Sequence, residues 1–304
     1  MNPANPNPAS PFLTWATAAT NLQAAVDVAS AGDTVLATNG SYRGGNRVVS
    51  ATTNCVVINA AITLKSVNGA GQTIIDGGGT WRCVYLGGGA SLRGFTLTNG
   101  VAAEYGGGAC CASQNEILSD CLLVSNNATA NTYGGGVYQG TLTNCTLTGN
   151  NALLGGGADG SWLINCQLTN NTGVGGGAAF ATLTGCILAG NQGSSAGGAY
   201  YCTLTNSLVT GNQGGSGGGG GSSCTFYNCT LVNNSANSAG GADFSTLIHC
   251  LLTQNTASLH GGGTRSCTLW SCTLTNNTAG WWGGGAWSST LYNCLIAGNH
   301  AGFG

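Results

Sequence analysis

The sequence contains few charged residues. Among 304 residues there are six Lys and Arg and eight Asp and Glu, and the formal net charge is −2. Binding of nucleic acid by neutralisation of phosphates is therefore disfavoured, because it requires a dense basic surface. The chain is also not of the disordered type, which combines many charges with few apolar residues, since 42% of its residues are hydrophobic.

Long apolar runs and proline are also scarce. No apolar run approaches the roughly 18 residues that a transmembrane helix needs, so the sequence predicts no membrane span. All four prolines lie within residues 1–14, an Asn- and Pro-rich segment that we interpret as a linker or the remnant of a leader. Glycine, by contrast, is abundant, with 55 residues.

The most informative feature is a short internal repeat. A Cys recurs every 20 to 24 residues through nine units, with one Ser in its place. Steps this short leave no room for the paired helices of tetratricopeptide or ankyrin repeats, so leucine-rich repeats and β-helices remain. The column consists of Cys121, Cys145, Cys166, Cys186, Ser207, Cys229, Cys250, Cys272 and Cys294.

Other columns distinguish these two architectures. The second residue after each Cys is aliphatic, and apolar residues alternate with Thr, as in Thr141-Leu142-Thr143. A period of two is typical of strands, and no stretch within a unit has a helical period long enough for a leucine-rich repeat. Each unit is therefore predicted to be one coil of three short strands, with Gly-Gly-Gly at a tight corner.

The fifth residue after each Cys is Asn in every unit. Coils stacked in register would place these side chains about 4.8 Å apart, where each amide can hydrogen-bond the next one. The sequence thus predicts a buried ladder of Asn126, Asn150, Asn171, Asn191, Asn212, Asn234, Asn255, Asn277 and Asn299.

Residues 15–34 are predicted to cap the first coil. Leu22 and Val26 have helical spacing, Asn21 is a suitable N-cap and Gly32 follows the end of the helix. Residues 35–120 contain less regular coils and residues 121–304 the regular ones. Together they give about 12 coils of 20–24 residues in one domain, 15–304.

Two motifs resemble known families. Residues 22–45, LQAAVDVASAGDTVLATNGSYRGG, resemble the opening of many bacterial right-handed parallel β-helix proteins of the pectin-lyase-like fold. Gly-Gly-Gly-Ala/Val with Leu-x-x-Asn resembles the GGA-I and F-x-x-N repeats of chlamydial polymorphic outer-membrane proteins. The resemblance covers nearly the whole chain from about residue 15. It implies a right-handed all-β solenoid and a secreted or cell-surface protein, and it implies no chemistry.

The 15 cysteines fit either a disulfide framework or a column of buried thiols. We favour thiols acting as small hydrophobic side chains. Cβ atoms in register lie about 4.8 Å apart, beyond the 3.5–4.5 Å of a disulfide. Cys202 and Cys224 are the pair best suited to form an exception. The Cys-x-x-Cys pairs of zinc sites are missing, so no metal and no cofactor are predicted.

The acidic residues do not form an evident catalytic pair. Asp159 and Asp243 are predicted to share an outward column, but about 19 Å apart, whereas a glycosidase pair lies roughly 5–10 Å apart. Asp243 and Arg265 could form a surface salt bridge of small energetic value. The histidines, at positions 249, 260 and 300, form no cluster. A group in the N-terminal coils keeps catalysis open: Asp76, Arg82, Arg93, Glu104, Glu116 and Asp120.

Aromatic residues are the better indication of binding. Exposed rings near the C-terminal end could stack on sugars or on a partner protein, or they could simply shield a wall with few charges. Thr-x-Thr rows also suggest an ice-binding face, but aromatic residues interrupt them. The candidate binding residues are Tyr227, Trp270, Trp281, Trp282, Trp287 and Tyr292.

The sequence therefore predicts a rod that is not an enzyme. It would be extracellular or on a cell surface and act in adhesion, extracellular matrix or assembly into a fibre. Its expected partners are further copies of itself, which an open C-terminal sheet edge would favour, or a surface glycan or protein, and not nucleic acid. The alternative is a polysaccharide lyase or glycoside hydrolase acting on a glycan along the wall.

Overall fold

The chain forms a right-handed parallel β-helix in a computed structural model, which confirms the predicted fold. The structure describes residues 1–44, 46–49, 51–129 and 132–303, and the five other residues of the predicted domain, the last being Gly304, lie outside this part. Three long sheets have twelve strands each. Neighbouring strands are parallel, apart from an antiparallel hairpin of Arg47–Val49 with Thr52–Asn59.

Each coil contributes one strand to sheet 1 and one to sheet 2, while sheet 3 begins with the two strands of the hairpin. Sheet 1 consists of Thr34–Ala37, Thr63–Ser66, Ser91–Arg93, Ile117–Ser119, Thr141–Thr143, Trp162–Ile164, Thr182–Thr184, Thr203–Thr205, Thr225–Tyr227, Thr246–Ile248, Thr268–Trp270 and Thr290–Tyr292. Sheet 2 consists of Gly40–Tyr42, Thr73–Asp76, Thr96–Thr98, Leu122–Val124, Thr146–Thr148, Gln167–Thr169, Ile187–Ala189, Leu208–Thr210, Thr230–Val232, Leu251–Thr253, Thr273–Thr275 and Leu295–Ala297.

Sheet 3 follows the Gly corners, and narrower sheets precede them. Sheet 3 consists of Arg47–Val49, Thr52–Asn59, Arg82–Gly87, Ala109–Cys111, Val137–Tyr138, Ala158–Asp159, Ala178–Ala179, Ala199–Tyr200, Gly221–Ser222, Ala242–Asp243, Thr264–Arg265 and Ala286–Trp287. A seven-stranded sheet consists of Thr172–Gly175, Gln192–Ala196, Gln213–Gly214, Ser235–Ala236, Thr256–Ala257, Thr278–Ala279 and His300–Ala301. A two-stranded sheet pairs Val101–Ala102 with Asn127–Ala128.

A short helix lies over the first coil, as predicted. After a 3-10 turn at Trp15–Thr17, the α-helix spans Leu22–Asp27. The side chain of Asn21 caps it by accepting a hydrogen bond of 2.8 Å from the Ala24 N–H. Gln23 exchanges hydrogen bonds with the backbone of Val57, which fixes the helix on the sheet. None of the described helices is long and apolar enough to cross a membrane.

Residues 1–14, which we interpreted as a linker or leader remnant, contact the first coil. The Thr38 N–H donates a 3.0 Å hydrogen bond to the Met1 carbonyl, extending the pairing beyond sheet 1. The Asn5 side chain is buried and its Nδ2 donates to the Ala18 carbonyl at 2.6 Å. This segment therefore packs against the described coils.

The Cys column lies at the corner between sheets 1 and 2. The residue before each Cys has a positive φ, 53° at Asn144, and Asn tolerates this conformation well. The Cys145 N–H then points to the next coil and donates to Cys166 Sγ at 3.4 Å. Where the column contains Ser207, the Cys186 N–H donates to its Oγ at 3.1 Å. The Ser fits because this position needs a small side chain that accepts a hydrogen bond.

All fifteen cysteines are free thiols in the structure, and fourteen of them are buried. Cys202 and Cys224 are free as well, and the Cys202 N–H donates to Cys224 Sγ at 3.4 Å. Burial raises the pKa of Cys55 to about 11 and that of Cys267 to about 12. These two thiols therefore carry almost no thiolate at neutral pH, so they are poor nucleophiles and pack as apolar groups.

The asparagine ladder is present as predicted. Asn191 Nδ2 donates to Asn212 Oδ1 at 2.9 Å and to the Leu168 carbonyl at 2.8 Å. Asn191 Oδ1 accepts from both the backbone N–H and the side-chain Nδ2 of Asn171, each at 3.0 Å. The buried amide thus satisfies backbone groups of two neighbouring coils that water cannot reach.

Asn191→Ala is expected to lower the free energy of unfolding by about 1–3 kcal/mol, because it leaves the buried Asn171 N–H without an acceptor. Denaturant titration of the parent and the variant measures this loss. Asn151→Ala is the matched control, since Asn151 is exposed and its side chain bonds only to the partly exposed side chain of Asn127 among the described residues. The control is expected to change stability by less than about 0.5 kcal/mol. Equal stability of Asn191→Ala and the parent would contradict the structural role of the ladder.

Candidate functional site

The charged residues of the regular coils lie in one outward row on sheet 3. After residue 121 the sequence has three Asp, Glu, Lys or Arg residues, namely Asp159, Asp243 and Arg265. Strand register aligns all three, and we call this alignment the outer row. It consists of Tyr138, Asp159, Ala179, Tyr200, Ser222, Asp243, Arg265 and Trp287. Asp159 and Asp243 lie four strand spacings apart, about 19 Å. This distance is too large for two carboxyl groups acting on one glycosidic bond.

The Gly corners pack directly over the outer row. At Gly155, φ is +56°, and an added Cβ would lie 2.3 Å from the Ala158 carbonyl oxygen and 3.0 Å from Asp159 Cβ. Only Gly fits this position. The corner thus lies against the row and buries its acidic residues, leaving Asp159 5% and Asp243 1% exposed.

Asp159 is a buried carboxyl group that forms no salt bridge with any other described residue. Its Oδ2 has no hydrogen-bond partner among the described residues. Burial raises the pKa of Asp159 to about 7, because the charged form loses its hydration. The group is therefore partly protonated at neutral pH, as a general acid must be. Of the two Asp residues in the outer row, Asp159 is the one without a salt bridge to Arg265 and is therefore better suited to proton transfer.

Tyrosines lie on the N-terminal side of Asp159. Tyr138 is its neighbour in the outer row, and the Tyr138 ring stacks on Tyr105 with centroids 4.5 Å apart. Tyr105 also stacks on Tyr133 at 5.7 Å. Burial and the nearby Asp159 charge raise the pKa of Tyr138. These rings form an aromatic surface beside the carboxyl group.

A second aromatic cluster lies on the C-terminal side of Asp159. Phe180 and Tyr201 stack nearly parallel, with centroids 5.5 Å apart, and Tyr200 of the outer row meets both rings edge-on. Phe180 and Tyr201 are 51% and 53% exposed and have φ of 49° and 51°. This left-handed conformation costs residues with a Cβ about 1–2 kcal/mol. Sequence reasoning missed this cluster.

Asp243 and Arg265 form a buried ion pair, which corrects the predicted surface salt bridge. Arg265 Nε donates to Asp243 Oδ1 at 2.7 Å, and Arg265 Nη2 donates to Oδ2. The side chains are 1% and 20% exposed, because the Gly corner covers the row. The Phe244 ring lies 5.1 Å from the Arg265 guanidinium and covers it further. Both charges are therefore neutralised within the wall.

The six predicted binding residues separate into two groups. Tyr227, Trp270 and Tyr292 lie along sheet 1, where Trp270 and Tyr292 stack at 5.5 Å. The other three lie next to a Gly corner and surround the ring of His260: Trp281, Trp282 and Trp287. Their part in binding and the predicted self-association stay predictions.

His260 is the residue at the centre of this second group, although its sequence position showed no cluster. Its ring lies 5.1 Å from Trp282 and 4.5 Å from Trp287, stacked on both. The His260 Nδ1 is buried without a hydrogen-bond partner among the described residues. The cluster forms because the coils stack in register, which places His260, the residue before one Gly corner, beside Trp282, the corresponding residue of the next coil.

The charged residues of the N-terminal coils do not form one site. Arg43 Nε donates to Asp76 at 2.9 Å at the end of a sheet 2 strand, and Arg93 Nε of sheet 1 donates to Asp120, in the following corner, at 3.0 Å. Glu116 is buried at the corner before sheet 1, where its side chain accepts backbone hydrogen bonds. Within the described residues no three His, Cys, Asp or Glu side chains are grouped as a metal site requires.

The cationic side chains are almost all engaged within the protein. Arg82 is buried on sheet 3 and donates to the carbonyls of Tyr105 and Gly106, in the segment that also carries Glu104. Four further arginines bind Asp carboxylates: Arg43, Arg47, Arg93 and Arg265. The wall therefore offers little free positive charge to a polyanionic ligand.

No family model matches the chain, and no curated protein matches it. Solved structures match the fold. A mannuronic acid specific polysaccharide family 6 lyase from human gut microbiota is 11% identical, with a TM-score of 0.46 over 88% of this chain and 77% of that one. The pectate lyase Pel9A is 15% identical, TM-score 0.46, over 99% and 75%. The Dettilon tailspike protein is 13% identical, TM-score 0.42, over 97% and 68%.

These comparisons correct the prediction that the chain is not an enzyme. The similar structures include two polysaccharide lyases, so that prediction is contradicted. At identities of 11–15% the similarity concerns the fold, and no residue role is transferred. The resemblance to the chlamydial repeats receives no support.

Proposed function

We propose that the protein is an extracellular glycan-cleaving β-helix in which Asp159 of the outer row is the proton-transferring group. One observation carries the proposal: a carboxyl group, 5% exposed and without a partner at Oδ2, lies on the wall between two aromatic clusters. Aromatic faces bind sugar rings and a carboxylic acid protonates a glycosidic oxygen, so the arrangement suits this substrate class.

A neutral polysaccharide is the substrate that the charges favour. Uronate polymers such as pectate or alginate carry one negative charge on each sugar and require cations along the binding surface. Here Arg265 is neutralised by Asp243, and Asp159 is a further acidic group of the same row, 5% exposed. A neutral glycan meets no repulsion from the carboxyl group and needs no cation.

The chemistry derived for Asp159 is hydrolysis of a glycosidic bond. The protonated carboxyl group transfers its proton to the bridging oxygen as the bond to the anomeric carbon breaks. Water then adds its hydroxyl group to that carbon, and its remaining proton restores Asp159. The reaction requires the protonated acid, so the rate is expected to fall as pH rises through about 7.

The test incubates the purified protein with neutral glycans, namely β-1,4-xylan, β-1,4-mannan, β-1,3-glucan and α-1,3-glucan. Polygalacturonate and polymannuronate are the acidic comparison. We expect new reducing ends from at least one neutral glycan and none from the acidic ones. Asp159→Asn is expected to lower that rate by about 10²-fold or more, the usual contribution of a general acid.

Asp120→Asn is the matched control, because Asp120 is an exposed carboxylate at the corner that follows the sheet 1 strand Ile117–Ser119, outside the outer row. It is expected to keep the parent rate. Turnover by Asp159→Asn at the parent rate, or no product from any of the glycans, would contradict the proposal.

A further inference from the structure

We propose that Phe180, Tyr200 and Tyr201 form a stacking subsite for the sugar rings of a neutral polysaccharide. The inference rests on the proposed function, because it places the same substrate along the wall beside Asp159. It concerns binding rather than bond cleavage, so the two can fail separately.

The backbone of Phe180 and Tyr201 is the first argument. Both lie at the corner between sheets 3 and 1, one residue after the outer row, where every coil from residue 139 onward turns with positive φ. Five of the other coils have Gln, Gly or Ser at this position, namely Gln139, Gly160, Ser223, Ser266 and Ser288, and one has Phe244, whose ring covers the Arg265 guanidinium. A bulky aromatic residue is disfavoured there. Its presence in two successive coils is therefore not explained by local backbone preference.

Packing does not explain the two rings either. Phe180 and Tyr201 are about half exposed, so they contribute little to the core. The corner itself is held by backbone hydrogen bonds that any residue could make, for example from the Phe180 N–H to the Tyr200 carbonyl at 3.0 Å. Exposed aromatic residues in an unfavourable conformation point to a binding role.

The position and charge of the cluster identify the ligand. Tyr200 lies two strands from Asp159 along the outer row, about 10 Å, so an extended glycan can contact both. The surrounding coils carry no charged residue besides the buried Asp159. Tyr200 and Tyr201 add phenolic hydroxyl groups to the ring faces, and the hydroxyl groups of a sugar can bind these.

The test measures binding of hexasaccharides of β-1,4-xylan, β-1,4-mannan, β-1,3-glucan and α-1,3-glucan by calorimetry. Asp159→Asn serves as the background throughout, so that no turnover intervenes. Into it we introduce Phe180→Asn and Tyr201→Asn together, because Asn is well suited to the left-handed conformation. We expect at least a 10-fold loss of affinity with the thermal midpoint unchanged or higher.

Phe244→Asn is the matched control, since Phe244 occupies the same corner position with φ of 45° and is 60% exposed, but lies further along the rod beside Arg265. Phe244→Asn is expected to keep the affinity.

The subsite is overturned if no hexasaccharide binds or if the double variant binds as well as its background. It is also overturned if the double variant is clearly destabilised, or if light scattering shows that it loses an oligomeric state. Binding that depends on the two rings, without cleavage by the parent, would contradict the proposed function and leave the subsite standing.

Discussion

Asp159→Asn is expected to make the protein more stable than the parent at pH 8 and to remove most of the dependence of stability on pH between 5 and 8. The folded state raises the pKa of Asp159 from 3.8 to about 7. A raised carboxyl pKa means that the folded state binds the proton more tightly than the unfolded state. Its contribution is therefore complete below about pH 4 and is lost as pH rises towards about 7.

The size of this effect follows from the same shift. Three pKa units correspond to about 4 kcal/mol of unfolding free energy at pH 8. Asn has no charge to bury, although its amide still lacks partners, so we expect a gain of about 1–3 kcal/mol. Urea titrations of parent and variant at pH 5, 6, 7 and 8 measure it. Parallel pH profiles of the two proteins would contradict the buried state of Asp159. Asp120→Asn, on the exposed part of the wall, is expected to change stability by less than about 1 kcal/mol.

The solenoid could be predicted from the sequence because its chemistry repeats. Inward side chains contact residues of the same type one coil away, as Leu142 does with Leu163 and Asn150 with Asn171. One repeat period therefore determines both the strand register and the residues of the core. The Asn ladder follows from the same logic, since a buried amide needs partners and the next coil supplies an identical one. The position of a residue in the repeat thus predicts whether its side chain points into the core.

The candidate site could not be predicted in this way, because it depends on features that do not repeat. Asp243 and Asp159 share one column, as predicted, but the predicted exposure of that column is wrong for both, because the Gly corner packs over them. That burial depends on the path of the loop, which alternation of apolar and polar residues does not encode. Because of this burial, the ion pair of Asp243 and Arg265 is covered rather than on the surface, and the pKa of Asp159 is raised.

The aromatic cluster at Phe180 and Tyr201 was missed for a related reason. Side chains at that repeat position share no polarity or size, so the column looked uninformative. What its members share is a backbone conformation, φ of about +50°. Gly160 and Ser223 at the same position were the available signal, because small turn residues there mark a corner in which a Phe or Tyr is out of place.

Arg265→Met is expected to destabilise the protein by about 3–5 kcal/mol at pH 7, the cost of leaving one buried charge without its partner. Asp243 would keep a side chain that is 1% exposed and lose both hydrogen bonds from the guanidinium group. Arg93→Met at the exposed Asp120 pair is the matched control, with an expected loss below about 1 kcal/mol. Denaturant titration compares the two variants directly, and losses of equal size would show that burial of the row has no energetic consequence.

The double variant Asp243→Leu with Arg265→Met separates the value of the ion pair from the cost of breaking it. Both charges are then absent, and two apolar side chains occupy the covered row between Ser222 and Trp287. Replacing a buried pair in this way is often neutral or stabilising, because the desolvation of both charges is avoided. We therefore expect the double variant to recover most of the roughly 3–5 kcal/mol of unfolding free energy that Arg265→Met loses, and so to be about as stable as the parent. A double variant no more stable than Arg265→Met would mean that the pair itself, rather than the orphaned carboxylate, holds these coils together.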